Sequence, residues 1–225
     1  MKRWVTLIIF FTVPFCLSAQ YSKYSIGIKR APVIYGNWNY PTGSINDTIT
    51  VSEFNWAPVD VGAYFNYTFR KNFSIQAEIK PTVESLAYRD NETEGGWFEF
   101  TFIEMPFLFQ YKGKTRLRGF AEAGLVLKFL MLGDHHYPRY DTTYLYDTYD
   151  ARGYFNNVAL KGSAGGGIMF DINKHFTLIA DTRLSYDFTP IGKKSVVDNA
   201  GKEWSFDTIR PLNISMISFG VAYKF

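Results

Sequence analysis

Apolar and polar residues alternate with a period of two over most of this chain, which sends side chains to opposite faces of a strand. The clearest case is Ile217, Phe219, Val221, Tyr223 and Phe225, set against Met216, Ser218, Gly220, Ala222 and Lys224. Upstream, Phe176, Leu178, Ala180, Leu184, Tyr186 and Phe188 oppose Thr177, Ile179, Asp181, Arg183, Ser185 and Asp187. Similar runs cover 157–171, 116–129, 73–84, 59–69 and, more weakly, 24–29, where Arg30 and Pro32 end the pattern. One segment changes phase. Phe98, Phe100 and Phe102 share a parity, while Met105, Phe107, Phe109 and Tyr111 take the other, which predicts a β-bulge at Phe102-Ile103 beside Pro106.

These runs predict eight strands. The turns at Arg70-Lys71-Asn72, Gly113-Lys114 and Asn173-Lys174 are tight, whereas the connections over 34–57, 87–96, 133–156 and 189–211 are long. Short turns on one side and long loops on the other predict an all-β fold: an eight-stranded antiparallel up-and-down transmembrane β-barrel with short periplasmic turns and long extracellular loops.

Charge decides which face looks inward. The polar faces carry Lys29, Lys80, Lys112, Arg116, Arg118, Lys128, Lys161, Arg183 and Lys224. They also carry Asp60, Glu78, Glu84, Glu99, Glu104, Glu122, Asp171, Asp181 and Asp187. Such balance suits a narrow lumen, where buried charges must be paired. The apolar faces, rich in Phe, Leu, Ile and Tyr, would overfill an eight-stranded interior and so are expected to face lipid. A structural network of Glu104, Arg116, Arg118, Glu122, Lys128, Lys161, Asp181 and Arg183 is therefore expected to plug the lumen.

Composition fits a membrane barrel. Aromatic residues make up 19% of the 225, and many fall at strand ends where girdles at the bilayer interfaces would lie. Residues 1–19 have the layout of a signal peptide: Lys2 and Arg3, an apolar run from Trp4 to Phe15 interrupted by Pro14, then Leu17-Ser18-Ala19 before Gln20. The expected division is thus a signal peptide over 1–19 and an outer membrane β-barrel domain over 20–225. The one cysteine, Cys16, falls in the first part and lacks the preceding small residues of a lipidation site, so the mature barrel is expected to carry no disulfide. Removing Lys2 and Arg3 leaves 22 Lys and Arg against 21 Asp and Glu, a balance with no pull toward nucleic acid.

The segment Phe102-Ile103-Glu104-Met105-Pro106-Phe107-Leu108-Phe109-Gln110-Tyr111-Lys112 resembles a strand recurring in the outer membrane β-barrel domain family of Bacteroidetes, which includes PorT-like proteins. Gly119 to Gly124, Gly165-Gly166-Gly167 and Tyr223-Lys224-Phe225 are also similar. The resemblance implies an outer-membrane location. It also implies, as an alternative function, an accessory role in a protein secretion machine.

Catalytic material is sparse, and no catalytic residue, cofactor or metal site is expected. His135 and His136 lie in the third long connection and are expected to be a solvent-exposed pair. A second alternative is an enzyme acting on lipid A, with His136 reaching Ser163 or Ser185. The loops offer a recognition surface in Trp38, Trp56, His135, His136, Tyr140, Tyr144 and Trp204. Asp47-Thr48-Ile49 and Asp207-Thr208-Ile209 resemble a short O-glycosylation motif. The expected function is structural or recognition-based. The expected partners are outer membrane lipids, the barrel-assembly machinery during insertion, and a protein or glycan at the external loops, with the barrel itself a monomer.

Overall fold

Closing a sheet on itself is the way strands can satisfy their backbone hydrogen bonds in hydrocarbon, and this chain does so. In a computed structural model, the described residues are 23–30, 33–36, 52–53, 61–88, 96–138, 146–193, 196–197, 203–204, 206, 210 and 212–225. The expected signal peptide and Trp38, Trp56, Tyr140 and Tyr144 lie outside them.

The described residues form eight long strands: β1 (Tyr24–Arg30), β2 (Val61–Arg70), β3 (Phe73–Tyr88), β4 (Gly96–Lys112), β5 (Leu117–Pro138), β6 (Val158–Asp171), β7 (Phe176–Asp187) and β8 (Leu212–Lys224). Each pairs antiparallel with its neighbour in sequence, and β1 pairs with β8 from Ser25↔Lys224 to Arg30↔Phe219, closing the barrel. The short strand Val33–Gly36 continues along β8 above β1 and pairs with Ser52–Glu53. Two further short strands, Val196–Val197 and Glu203–Trp204, pair with each other. No helix among the described residues is long and apolar enough to cross a membrane.

The turns follow from local chemistry. Asn173 Oδ1 accepts hydrogen bonds from the backbone amides of His175 and Phe176, both at 2.8 Å, and so folds the turn between β6 and β7. Asn72 Nδ2 donates to the Lys112 carbonyl at 2.8 Å and ties the first turn to the end of β4.

Outward positions are apolar. Ile28, Leu125, Ile168 and Phe219 are each at least half exposed, at 50–63%. Inward positions at the same levels are polar and buried, including Ser74, Gln110 and Lys128. Aromatic rings collect at the turn end. Tyr24 stacks on Tyr67 at 5.2 Å, Phe73 meets Tyr111 at 5.2 Å, and Tyr223 meets Phe176 at 5.4 Å. Gly167 is required by close approach: a Cβ there would lie 2.1 Å from the Ala180 carbonyl oxygen.

The phase change in β4 is not a bulge in that strand. The register between β3 and β4 runs unbroken from Phe73↔Tyr111 to Tyr88↔Gly96. Phe98, Phe100 and Phe102 therefore point inward with Glu104, Leu108 and Gln110, and all are buried. Glu99 has the outward parity and is exposed. The irregularity lies opposite, in β5, where Thr101↔Leu132 is followed by Phe102↔Leu130, leaving Met131 as an extra residue. Both Met131 and Leu132 are exposed.

If the apolar face meets acyl chains, Leu125→Arg will destabilise the barrel by about 2–4 kcal/mol, while Leu117→Arg at the turn-side end will cost about 0–1 kcal/mol. Urea unfolding in lipid vesicles measures both. Equal costs at the two positions would contradict a lipid-facing surface.

Candidate functional site

The barrel interior is filled in layers, and the loop-side layer is aromatic. Phe98, Phe100 and Phe102 from β4 pack with Phe155, Phe206, Ile191 and Ala151 from the connections after β5 and β7. Phe100 and Phe155 meet edge-on at 4.3 Å between centroids, and Phe98 and Phe206 at 5.3 Å. Six of these seven side chains are no more than 2% exposed, so the layer is a solid cap.

Beneath it lies an ionic layer. Lys128 Nζ from β5 donates to both oxygens of Glu84 at 2.9 and 2.8 Å and to Asp187 at 3.3 Å. It also sits 4.1 Å from the Phe102 ring centroid, joining the ionic layer to the aromatic one. Lys161 from β6 bonds Glu104 at 2.7 Å and reaches Glu84 at 3.4 Å. Lys80 holds the other oxygen of Glu104 at 3.0 Å, and Asn213 donates to Glu84 at 3.0 Å.

A second ionic layer follows. The Arg183 guanidinium grips Glu78 through two bonds of 2.7 and 2.5 Å, and its Nε donates to Glu122. Lys29 donates to Asp181 at 2.6 Å and approaches Glu78 at 3.6 Å, and Ser218 donates to Asp181. Gln110 links this layer to an amide cluster: it donates to Glu122 at 2.6 Å and to Gln76 at 3.0 Å. Asn66 donates to Gln110 at 2.8 Å and accepts from Lys112 at the same distance. At the turn end, Asp171 receives Arg118 at 2.5 Å, Thr177 at 2.6 Å and Lys224 at 3.0 Å.

Of the expected lumen residues, Glu104, Lys128 and Lys161 meet in the upper layer, and Glu122, Asp181 and Arg183 in the lower one. Arg118 pairs at the mouth. Arg116 does not join them. β5 begins at Leu117, so the alternation does not extend to Arg116, which is exposed and donates to the Asp171 and Ile172 carbonyls at 2.7 and 2.9 Å. Lys29, Glu78, Lys80, Glu84 and Asp187 complete the network. Their polar parity marked them, but an alternation pattern does not give the register across the lumen. The uncharged Asn66, Gln76, Gln110 and Asn213 carried no signal beyond that parity.

The histidines are not a loop pair. Both belong to β5, paired with Phe98 and Trp97. His135 is buried against Phe98, with ring centroids 3.9 Å apart. His136 takes the opposite face, stacks on Trp97 at 4.8 Å and bonds Thr148 through Nδ1 at 3.1 Å. It is far from both candidate serines. Ser163 lies beside Gly124 on β5 and Ser185 lies beside Ser163, so His136 is removed by a stretch of strand of roughly 40 Å. Instead, Ser185 donates to Ser163 at 2.9 Å inside the barrel. Trp204 lies in the short strand Glu203–Trp204 of the last connection.

The loop side carries its own sheet. β3, β4 and β5 contain 16, 17 and 22 residues, and β4 and β5 stay paired up to Trp97↔His136 whereas the pairing of β5 with β6 ends at Phe129↔Val158, so they rise as a wall among the described strands. Tyr146–Asp150 extends the wall by pairing with β5. At its edge the Arg152 guanidinium bonds both oxygens of Asp150, at 2.7 and 3.0 Å, and holds that carboxyl down to about 2.

A family model described as outer membrane protein beta-barrel domain matches residues 21–192. Among solved structures, OprG of Pseudomonas aeruginosa is similar at a TM-score of 0.50 and 12% identity, covering 90% of this chain and 95% of that one. Neisserial surface protein A gives 0.49 and 13%, covering 91% and 98%. AlkL, solved in lipid bilayers, gives 0.49 and 14%, covering 92% and 93%. At 12% identity the likeness to OprG bears on the fold alone. No curated protein matches the chain in sequence.

The ionic layers make a stability test possible. Lys161→Met leaves buried carboxylates short of a partner and will destabilise the barrel by about 3–5 kcal/mol. Adding Glu104→Gln will return part of that loss, giving a coupling of about 1 kcal/mol or more in a double-mutant cycle read by urea unfolding. Strict additivity would show that the two side chains do not interact.

Proposed function

Because the chain belongs to the outer membrane protein β-barrel domain family, whose place is the outer membrane, we propose that it acts as a non-conducting, non-catalytic barrel that recognises a protein or glycan through its loop end. The observation that carries this reading is the filled interior. An aromatic cap over two ionic layers leaves the lumen unsuited to passage, so the exposed ends are where function can reside. The wall formed by β3, β4 and β5 supports the choice of the loop end. It presents the Trp97–His136 stack on regular sheet, and aromatic side chains on a rigid support give binding energy at low entropic cost.

The enzymatic alternative loses its candidate pair, because His136 and the serines Ser163 and Ser185 lie at different heights. The PorT-like alternative rests on the Glu104-Met105-Pro106 strand, in which Glu104 and Pro106 face inward and are buried. That burial gives these residues a structural reason within the barrel. An accessory role in secretion would appear as stable co-purification with the secretion complex in mild detergent.

Two measurements test the proposal. In planar bilayers the full-length mature protein is expected to show no steady conductance, and a large persistent pore would contradict the plug. Cells displaying wild type are expected to bind some member of an immobilised panel of glycans and secreted proteins, with Trp97→Ala/His136→Ala cells binding it about tenfold more weakly. No wild-type binding to any member, or equal binding by the two, would overturn recognition through this wall.

A further inference from the structure

Below the ionic layers the barrel opens at its turn end into a cavity of about 570 Å³. Its wall carries Lys71, Lys112, Lys114, Arg118, Lys174 and Lys224, against the carboxylate of Asp171. That carboxylate is already committed to Arg118, Lys224 and Thr177. Among the described residues, Lys71, Lys112, Lys114 and Lys174 take part in no ion pair. Higher in the lumen the opposite holds, with each cation set against one or more carboxylates within 4 Å.

This excess of positive charge lines one cavity, with Lys112 half-buried and Lys71, Lys114 and Lys174 exposed at its rim, and is unlike the rest of the interior. Cations lining a concave site with low-dielectric walls focus a positive potential into it and attract counter-ions. Lys112 is the innermost of the unpaired lysines. Its ammonium carries three donors, and one is used on Asn66. The deeper wall is formed by Tyr64, Met169, Ile179 and Ala222, and the Tyr64 hydroxyl is buried with no hydrogen-bond partner. The cavity thus offers several cationic donors around a mouth and a volume within the range of small-molecule sites, about 300–1,000 Å³.

We propose that this turn-side vestibule binds a phosphate-bearing anion. Several ammonium groups and one guanidinium around a single space suit a multivalent oxyanion, because phosphate oxygens accept several charge-assisted bonds at once. The turn end faces the periplasm in barrels of this architecture. The phosphate can therefore come from a soluble diphosphate or from the headgroup of an anionic phospholipid in the periplasmic leaflet. This inference is independent of loop-end recognition, since it concerns the opposite end of the molecule.

The test titrates inorganic pyrophosphate into the full-length mature protein in neutral detergent, followed by calorimetry. Saturable one-to-one binding is expected, weakened about tenfold by Lys112→Gln and again by Lys71→Gln/Lys114→Gln. Folding of each variant is checked by heat-modifiable migration. Absence of saturable binding to the wild type, or unchanged affinity in folded Lys112→Gln and in folded Lys71→Gln/Lys114→Gln, overturns the proposal. Nanodiscs then separate the two sources. If pyrophosphate binds in phosphatidylcholine discs but not in phosphatidylglycerol discs, the headgroup occupies the site. Binding in both assigns the site to a soluble phosphate compound.

Discussion

An eight-stranded barrel has an interior scarcely wider than its own side chains, so a charge pointing inward must find its counter-charge inside the barrel. In this protein the long pairs run across the lumen, while Lys80–Glu104 and Arg118–Asp171 join neighbouring strands. Arg183 on β7 grips Glu78 on β3, four strands away around the barrel and so on the opposite side. Lys128 on β5 ties Glu84 on β3 to Asp187 on β7, and Lys161 on β6 reaches Glu84 and Glu104. Each pair that crosses the lumen is a strut that sets the cross-section. Neutralisation and closure are therefore one constraint: the contacts that make the buried charges tolerable also fill the lumen.

The same constraint explains why so much of the fold was legible in the sequence. A closed barrel in lipid has two environments separated by a single sheet, and period-two alternation maps onto them directly. Six of the eight expected lumen residues lie in the two ionic layers, because charge on a polar face has nowhere else to go. The reading failed where hydrophobicity was ambiguous. Phe98, Phe100 and Phe102 are as apolar as any lipid-facing residue, so their shift of parity looked like a bulge in β4. The strand keeps its parity, and it is the lumen that changes, from ionic to aromatic. His135 was misplaced for the same reason, since a strand rising beyond the bilayer resembles a loop when its residues are polar.

Arg116 shows a different limit. Its parity is that of Arg118, two residues on, but the strand starts between them. A guanidinium just outside the first strand residue is better served by the free carbonyls that end β6 than by a place in the lumen. Element boundaries are decided by turn geometry, and alternation does not report on them. Burial of Glu104 and Pro106 likewise became visible only with the register, which turned a family-like motif into a strut and a wall contact.

The small net charge of the whole chain conceals how the charges are arranged. Inside the barrel every charge of the two ionic layers has a partner within 4 Å, with three cations against three carboxylates in the upper layer and two against three in the lower. The turns Arg70-Lys71-Asn72, Lys112-Gly113-Lys114-Thr115-Arg116 and Lys174-His175 are basic, while Glu99 and Asp150 are exposed at the other end. Because each charge of the layers finds its partner inside the barrel, the charge at the turn end is set by the turns themselves. The paired core is thus what permits a basic face on the turn side.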